Sequence, residues 1–221
     1  MGERPNEGAA ELDPALRARL RALCDEGWDL WERFDTEVRR RDFHPFVAAD
    51  YDVVLDALIP LRAPGLRFLE WGSATGVITI MADLLGFEAC GIEIDPQLVE
   101  QARALARRTG SRARFTAGSF LPTGYRWRDG RGDSRLGTIG SGDSGYLQLG
   151  LPLEEFHLVF GYPWAGEEPM MLDLMRVHGR PDARFLVHTA GRVDVHTGGR
   201  VAVEPPAPRP ARLTGGGRSA S

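Results

Sequence analysis

From Glu11 to about Arg41, the apolar residues Leu12, Leu16, Leu20, Leu23, Trp28, Trp31, Phe34 and Val38 recur at helical spacing with charged residues between them. That period predicts one long or broken amphipathic helix. Phe43-His44-Pro45-Phe46 interrupts it, and Asp50 to Leu61 carries a second helical pattern closed by Pro60 and Pro64, because proline lacks a backbone donor and cannot sit inside a helix. The pattern then changes. Leu66 to Trp71, Glu88 to Ile94, Ala113 to Ala117, Phe156 to Phe160 and Arg184 to His188 read as short apolar strands, with helices over Gly76 to Leu85, Pro96 to Arg108 and Glu167 to Val177. Strand and helix in alternation predict a parallel sheet covered on both faces. Ligands in such sheets bind beyond the carboxyl ends of the strands, at the point where the strand order reverses.

Two segments fall outside this rhythm. Pro122 to Gly150 is a Gly-rich insertion, long for a connection inside a compact domain, and loops of that length commonly serve as lids. Its glycines permit motion, and Arg126, Arg128 and Arg135 are available to an anionic group. After His188 the pattern weakens. Val193-Asp194-Val195 and Val201-Ala202-Val203 flank Thr197-Gly198-Gly199 as a β-hairpin would, and a Pro-, Gly- and Ser-rich tail follows from Glu204, with the composition of a flexible segment.

Composition narrows the class. At 221 residues and 43% hydrophobic, the chain can bury one full core with length left for extensions. It contains no apolar run of the ~18 residues a bilayer span needs, and it opens on acidic and polar residues where a secretory signal would be basic and then apolar. The expectation is a soluble, cytoplasmic protein with no membrane partner. Cys24 and Cys90 lie far apart in apolar stretches and read as buried free thiols, with no metal role. A net charge of -4 lacks the basic footprint of a nucleic-acid binder, and Arg39-Arg40-Arg41 reads as a solvated helix face. No lysine occurs anywhere, so Schiff-base chemistry has no residue to use.

The chemistry concentrates in Phe68-Leu69-Glu70-Trp71-Gly72-Ser73-Ala74-Thr75-Gly76, an apolar strand entering a small-residue turn that opens a helix. Gly72 and Gly76 can take positive φ and present no side chain, so a ligand can lie against the backbone. One strand later Glu93 ends Gly91-Ile92-Glu93, about 20 residues on, at the place from which an acid reaches both ribose hydroxyls of a nucleotide. Asp95, followed by Pro96, reads as a helix N-cap. A nicotinamide-dependent dehydrogenase shares this spacing, but its G-x-G-x-x-G turn would place the last glycine one residue later than Gly76, and its domain usually opens directly on the strand.

From Phe43 to His188 the chain resembles the class I methyltransferases that use S-adenosylmethionine (SAM), through LEWGSATG, GIEIDPQLVEQAR, AGSFLP and FHLVFGYPW. The resemblance implies a three-layer Rossmann-like α/β fold, mostly parallel with helices on both faces; in this chain an N-terminal helical extension precedes it, and the antiparallel strand pair that usually closes it reads as shortened. Together with the patterning above, it divides the chain into an N-terminal helical extension (1–62), a SAM-binding domain (63–203, with the 122–150 insertion as a candidate lid) and a flexible tail (204–221). It assigns Glu70, Gly72, Ser73, Ala74 and Gly76 to the methionine part of SAM, Glu93 to the ribose, and Ile94, Ser119 and Phe120 to the adenine. The chain departs from the family in four places. Ala74 replaces the commonest middle glycine, Ser119 replaces an Asp, His157 stands where many relatives have Asp and reads as structural, and Gly161 replaces the polar residue that would hold an amide or exocyclic amine. The last change argues against an adenine-N6 or glutamine-amide acceptor. Tyr162 and Trp164 either line an aromatic acceptor pocket or belong to the core, and Glu167 and Glu168 read first as the acidic opening of a helix. If the acceptor is a hydroxyl, the candidate bases are Tyr162, Glu167 and His188. The net acidity tilts the expected acceptor toward a small molecule, and a SAM-binding domain without catalysis is the alternative from a different class.

Overall fold

The computed structural model describes residues 12–42, 44, 46–126, 142–164, 166–197 and 200–201. Helix α1 (Pro14–Phe34) begins where Asp13 accepts the Leu16 N–H and Pro14 takes the first turn. It passes into a π-helical turn, Asp35–Arg39. Helix α2 (Tyr51–Leu58) is capped by Asp50, whose carboxylate accepts from the Asp52 and Val53 N–H groups, and it tightens into a 3-10 turn at Ile59–Leu61 around Pro60. The core then runs β1 (Arg67–Trp71), α3 (Val77–Leu84), β2 (Glu88–Glu93), α4 (Pro96–Thr109), β3 (Arg114–Ala117), α5 (Gly145–Leu149), β4 (Leu158–Gly161), α6 (Glu168–His178), β5 (Arg184–Thr189), β6 (Arg192–Thr197) and β7 (Arg200–Val201).

The strand order is β3-β2-β1-β4-β5-β6-β7. β1 to β5 are parallel, while β6 is antiparallel to β5 and β7 to β6. Side chains alternate across the sheet as the pleat requires. Phe68, Leu158, Phe160 and Leu186 face a core shared with α1, α2, α3 and α4, while Leu69, Trp71, Val159, Phe185 and Val187 face a second core shared with α5 and α6. This is the three-layer α/β sandwich that the alternation predicts. His157 stitches the lower edge: its Nδ1 accepts the Arg67 N–H at 3.0 Å, and its carbonyl accepts from Arg184.

Three differences from the sequence expectation have physical causes. The π turn continues the first helix through Val38 with a changed pitch, so an ideal-helix pattern misplaces the side chains beyond Phe34. The insertion contains α5, whose Tyr146 and Leu149 are buried in the second core. Tyr146 accepts the Trp71 indole N–H at 2.8 Å, which fixes this helix under the sheet. Residues 127–141, the centre of the expected lid, lie outside the described residues. At the C-terminus the β6–β7 hairpin pairs Thr197 with Arg200. Less visible in sequence, β5 and β6 join through the two-residue turn Ala190-Gly191, both at positive φ, as a tight hairpin requires. The tail from 202 lies outside the described residues. Among the described residues no helix is long and apolar enough to cross a membrane, and both cysteines are free and buried.

Candidate functional site

The strand order reverses between β1 and β4, and there, beyond the carboxyl ends of the strands, a cavity of about 320 Å³ opens. That volume lies within the ~300–1,000 Å³ of small-ligand sites. Glu70, Trp71, Gly72 and Ala74 line it from the end of β1, Ile92, Glu93 and Ile94 from β2, Gly118, Ser119 and Phe120 from the end of β3, and Tyr162, Pro163 and Trp164 from the end of β4.

The turn after β1 is built to leave its upper surface bare. The N–H groups of Gly72 and Ser73 both donate to the Ile92 carbonyl, at 2.9 and 3.0 Å, and the Gly76 N–H closes the turn on the Ser73 carbonyl at 2.7 Å. Gly72 has φ +69, and a Cβ there would meet nothing within 4 Å, so its missing side chain faces open cavity. Gly76 has φ +82, but a Cβ there would come within 2.7 Å of the Phe115 ring and 2.8 Å of Ala102. One glycine therefore serves the cavity and the other the core. Ala74 also takes positive φ (+45), and its methyl packs with Phe34 and Leu98. Ser73 and Gly76 are not among the cavity-lining residues; the Ser73 side chain is buried against Gly91.

Two buried acids hold the turn from opposite sides. Glu93 Oε2 accepts the Ala74 N–H at 2.8 Å and its Oε1 accepts the Asp95 N–H at 3.0 Å. Burial raises its pKa, and these backbone bonds oppose the rise. Each carboxylate oxygen keeps lone-pair capacity toward the cavity. Glu70 Oε2 accepts both the N–H (2.9 Å) and the hydroxyl of Thr79 in the first turn of α3. Burial pushes Glu70 up to about 8, with the Thr79 bonds pulling it down and the Glu93 charge adding to the rise. Asp95 caps α4, its Oδ1 accepting the Gln97 N–H at 2.7 Å.

At the rim, Ile94 remains 38% exposed beside Glu93. Phe120 stacks on Trp71 (5.2 Å, 17°) and Ser119 Oγ accepts the Leu121 N–H, so both are partly committed to the local fold. The acceptor side is aromatic. Tyr162 and Trp164 line the cavity, and the Tyr162 ring stands edge-on to His188 at 4.7 Å. Of the three candidate bases, Tyr162 alone lines the cavity. Glu167 is fully buried in the β4–α6 turn, where its Oε2 accepts the Trp164 N–H at 3.0 Å. His188 lies behind Tyr162 with 3% exposure, and burial lowers its pKa.

Sequence reasoning missed a whole wall of the site. Arg39, His44, Phe46, Val47 and Ala49, all from the N-terminal segment, line the cavity. His44 Nδ1 accepts the Phe46 N–H at 3.0 Å, which leaves the proton on Nε2, and Nε2 meets Asp95 Oδ2 at 3.3 Å. Phe34 and Phe46 pack at 5.1 Å, with Trp31 on Phe46. Arg39 is thus not part of a plain solvated face; Arg40 and Arg41 are exposed. The signal was the aromatic-rich break between two helices, which is more apolar than a simple linker needs to be.

A Rossmann-like sheet with this glycine turn and strand-end acid is what the resemblance to the class I SAM-dependent methyltransferases implies, and the chain is similar in sequence to proteins named as methyltransferases. Over 120 residues, 52% of the chain, it is 34% identical to the ribosomal protein L11 methyltransferase of Thermus thermophilus, covering 46% of that protein. The ribosomal protein L11 methyltransferase of Ralstonia pickettii is 39% identical over 62 residues, 28% of this chain and 21% of that one. The chain thus spans about half the length of the first relative and about a fifth of the second. No family model matches it. Similar solved structures include an RNA methyltransferase from Salinibacter ruber in complex with S-adenosyl-L-homocysteine (20% identity, 61% of this chain and 72% of that chain, TM-score 0.42). Another is precorrin-6y C5,15-methyltransferase from Geobacter metallireducens (16% identity, 62% and 59%, TM-score 0.42). The expectation of a small-molecule acceptor is corrected here: the relatives matched in sequence are named for a protein substrate. The acidity that motivated it discriminates poorly, since a negative surface suits a basic protein partner equally well.

Proposed function

We propose that the chain is a SAM-dependent methyltransferase whose acceptor is a protein, with a basic ribosomal protein as the leading candidate. The observation that carries the cofactor assignment is the bare face of Gly72 opposite Glu93 in one cavity at the strand-order switch. The residues fit the group. Glu93 offers acceptors to the ribose hydroxyls, the exposed face of Ile94 offers an apolar surface to the adenine beside Ser119 and Phe120, and Gly72 and Ala74 let the methionine part approach the backbone. Bound there, the cofactor would supply an activated methyl group to the acceptor's lone pair, with its thioether as the leaving group and the acceptor's proton lost to solvent. The protein's part is to hold the acceptor in line and exclude water. Tyr162, Pro163 and Trp164 are the residues at hand for that task, flat surfaces for a cationic or planar side chain. The acceptor preference rests on the names of the relatives and on the net charge of -4, complementary to a basic partner. With a ribosomal acceptor the site of action is the cytoplasm.

Calorimetric titration with SAM, S-adenosylhomocysteine and NADH, repeated on Glu93→Ala, tests the cofactor. Binding of the adenosyl ligands that is lost in the variant is expected; binding of NADH alone refutes the assignment. Incubation with methyl-labelled SAM and purified ribosomal proteins tests the acceptor. Label in a protein band is expected. Intact SAM binding with no protein labelled refutes a ribosomal acceptor and favours a binding domain without catalysis.

A further inference from the structure

We infer that Arg39, on the π turn of the N-terminal segment, holds the carboxylate of the cofactor's amino-acid end, so that the N-terminal segment completes the cofactor site; this rests on the SAM reading above. The amino-acid end of SAM is a zwitterion and needs a partner for each charge. Among the described residues, the formally charged side chains lining the cavity are Glu70, Glu93 and Arg39, together with His44. Glu93 is assigned to the ribose, and Glu70, a carboxyl group that burial keeps largely protonated up to about pH 8, carries no positive charge to offer a carboxylate. His44 is engaged at both ring nitrogens, by the Phe46 N–H and by Asp95. Arg39 remains for the carboxylate.

The state of Arg39 supports the assignment independently. Its Nε is buried and has no acceptor among the described residues. Its ion pair with Asp35, from a terminal guanidinium nitrogen to Oδ1, is long at 3.3 Å, and Asp35 also takes Arg40 at the shorter distance of 2.9 Å. The guanidinium lies over the Trp31 ring, 5.5 Å from its centroid, so the head is oriented by stacking while a donor edge is left unsatisfied. A planar donor fork that is oriented but unsatisfied matches a carboxylate. The backbone agrees. A π turn alters the side-chain direction relative to a continuous α-helix, and such turns occur frequently at functional sites. Phe34 shares one buried cluster with Leu98 and with Ala74 of the glycine turn, which ties the segment to that turn.

The test compares SAM with decarboxylated SAM, which keeps the sulfonium and the amine but lacks the carboxylate, on the full-length wild type and on Arg39→Gln. For wild type, SAM is expected to bind about 10- to 100-fold more tightly than the decarboxylated analogue, the range of a lost charge-assisted pair. Arg39→Gln should weaken SAM to about the level of the analogue and leave the analogue unchanged. Equal weakening of both ligands in the variant overturns the inference and makes Arg39 a structural residue of the segment. Unchanged SAM binding in the variant overturns it as well. If wild type binds neither ligand, it is the cofactor reading that has failed.

Discussion

Gly72 and Gly76 bracket the same turn at nearly the same φ, yet alanine at the two positions should damage different properties. At Gly72 a new Cβ meets nothing within 4 Å, so the folding penalty reduces to placing an L residue in the left-handed region, about 1–2 kcal/mol. Ala74, at φ +45 two residues on, shows that the turn accommodates an alanine in that region. At Gly76 the backbone penalty is the same, but the Cβ would stand 2.7 Å from Phe115 and 2.8 Å from Ala102, and forcing a methyl into such a core adds about 1–3 kcal/mol. Gly76→Ala should therefore lose about 2–5 kcal/mol in urea denaturation, and Gly72→Ala no more than about 2. Affinity should rank the other way. The Gly72 methyl points into the cavity where a ligand would rest on the backbone, and an overlap of that size weakens S-adenosylhomocysteine by roughly 5- to 150-fold. Folded Gly76→Ala should bind nearly as wild type. If Gly72→Ala unfolds as readily as Gly76→Ala, or binds S-adenosylhomocysteine undiminished, the division of labour drawn for this turn is wrong.

Glu70 makes stability pH-dependent. Its folded pKa of about 8 exceeds the ordinary 4.5, so between those values the folded state binds more protons than the unfolded chain, and stability falls as pH rises through that window. Glu70→Gln, which keeps an acceptor for Thr79, should flatten the pH profile of the urea midpoint between pH 5 and pH 8; a variant profile as steep as wild type would exclude Glu70 as the cause. Tyr146→Phe deletes the acceptor of the buried Trp71 N–H and should lower stability by about 1–3 kcal/mol, read as a drop in Tm, whereas an unchanged Tm would mean that the bond contributes nothing net.

The sheet and its helices were legible because each strand from β1 to β5 is a short apolar run closed by Gly, Pro or a charged residue, and each of α3, α4 and α6 begins at or next to a recognisable signal, as Asp95-Pro96 does for α4. The floor of the candidate site was legible for the same reason. Gly72, Glu93 and Ser119 follow strand ends, and a parallel sheet brings strand ends together. What local pattern could not show was which remote segment closes the site from above. The wall from Arg39 to Ala49 depends on a change of helical pitch and on aromatic contacts with residues about 40 to 60 positions away, such as Phe34 with Ala74 and Leu98. Helix α5 was hidden because five residues give too little period to read, and its anchor is a single tyrosine under the sheet.

The central pairing has a consequence for the order in which the molecule can be assembled. β1 lies between β2, about 20 residues downstream, and β4, about 90 residues downstream, with Phe68 opposite Leu158. During synthesis the glycine turn and Glu93 emerge early, but the strand that completes the reversal of order emerges much later, and contacts of such sequence separation are slow to form. No fragment ending before β4 holds the whole cavity, so a ribosome stalled within the insertion would carry a half-sheet, β3-β2-β1, whose β1 edge is left unpaired. Such an edge is a target for chaperones or for pairing with another chain. The cavity is therefore complete only once β4 has emerged, although most of its floor is encoded between β1 and Phe120.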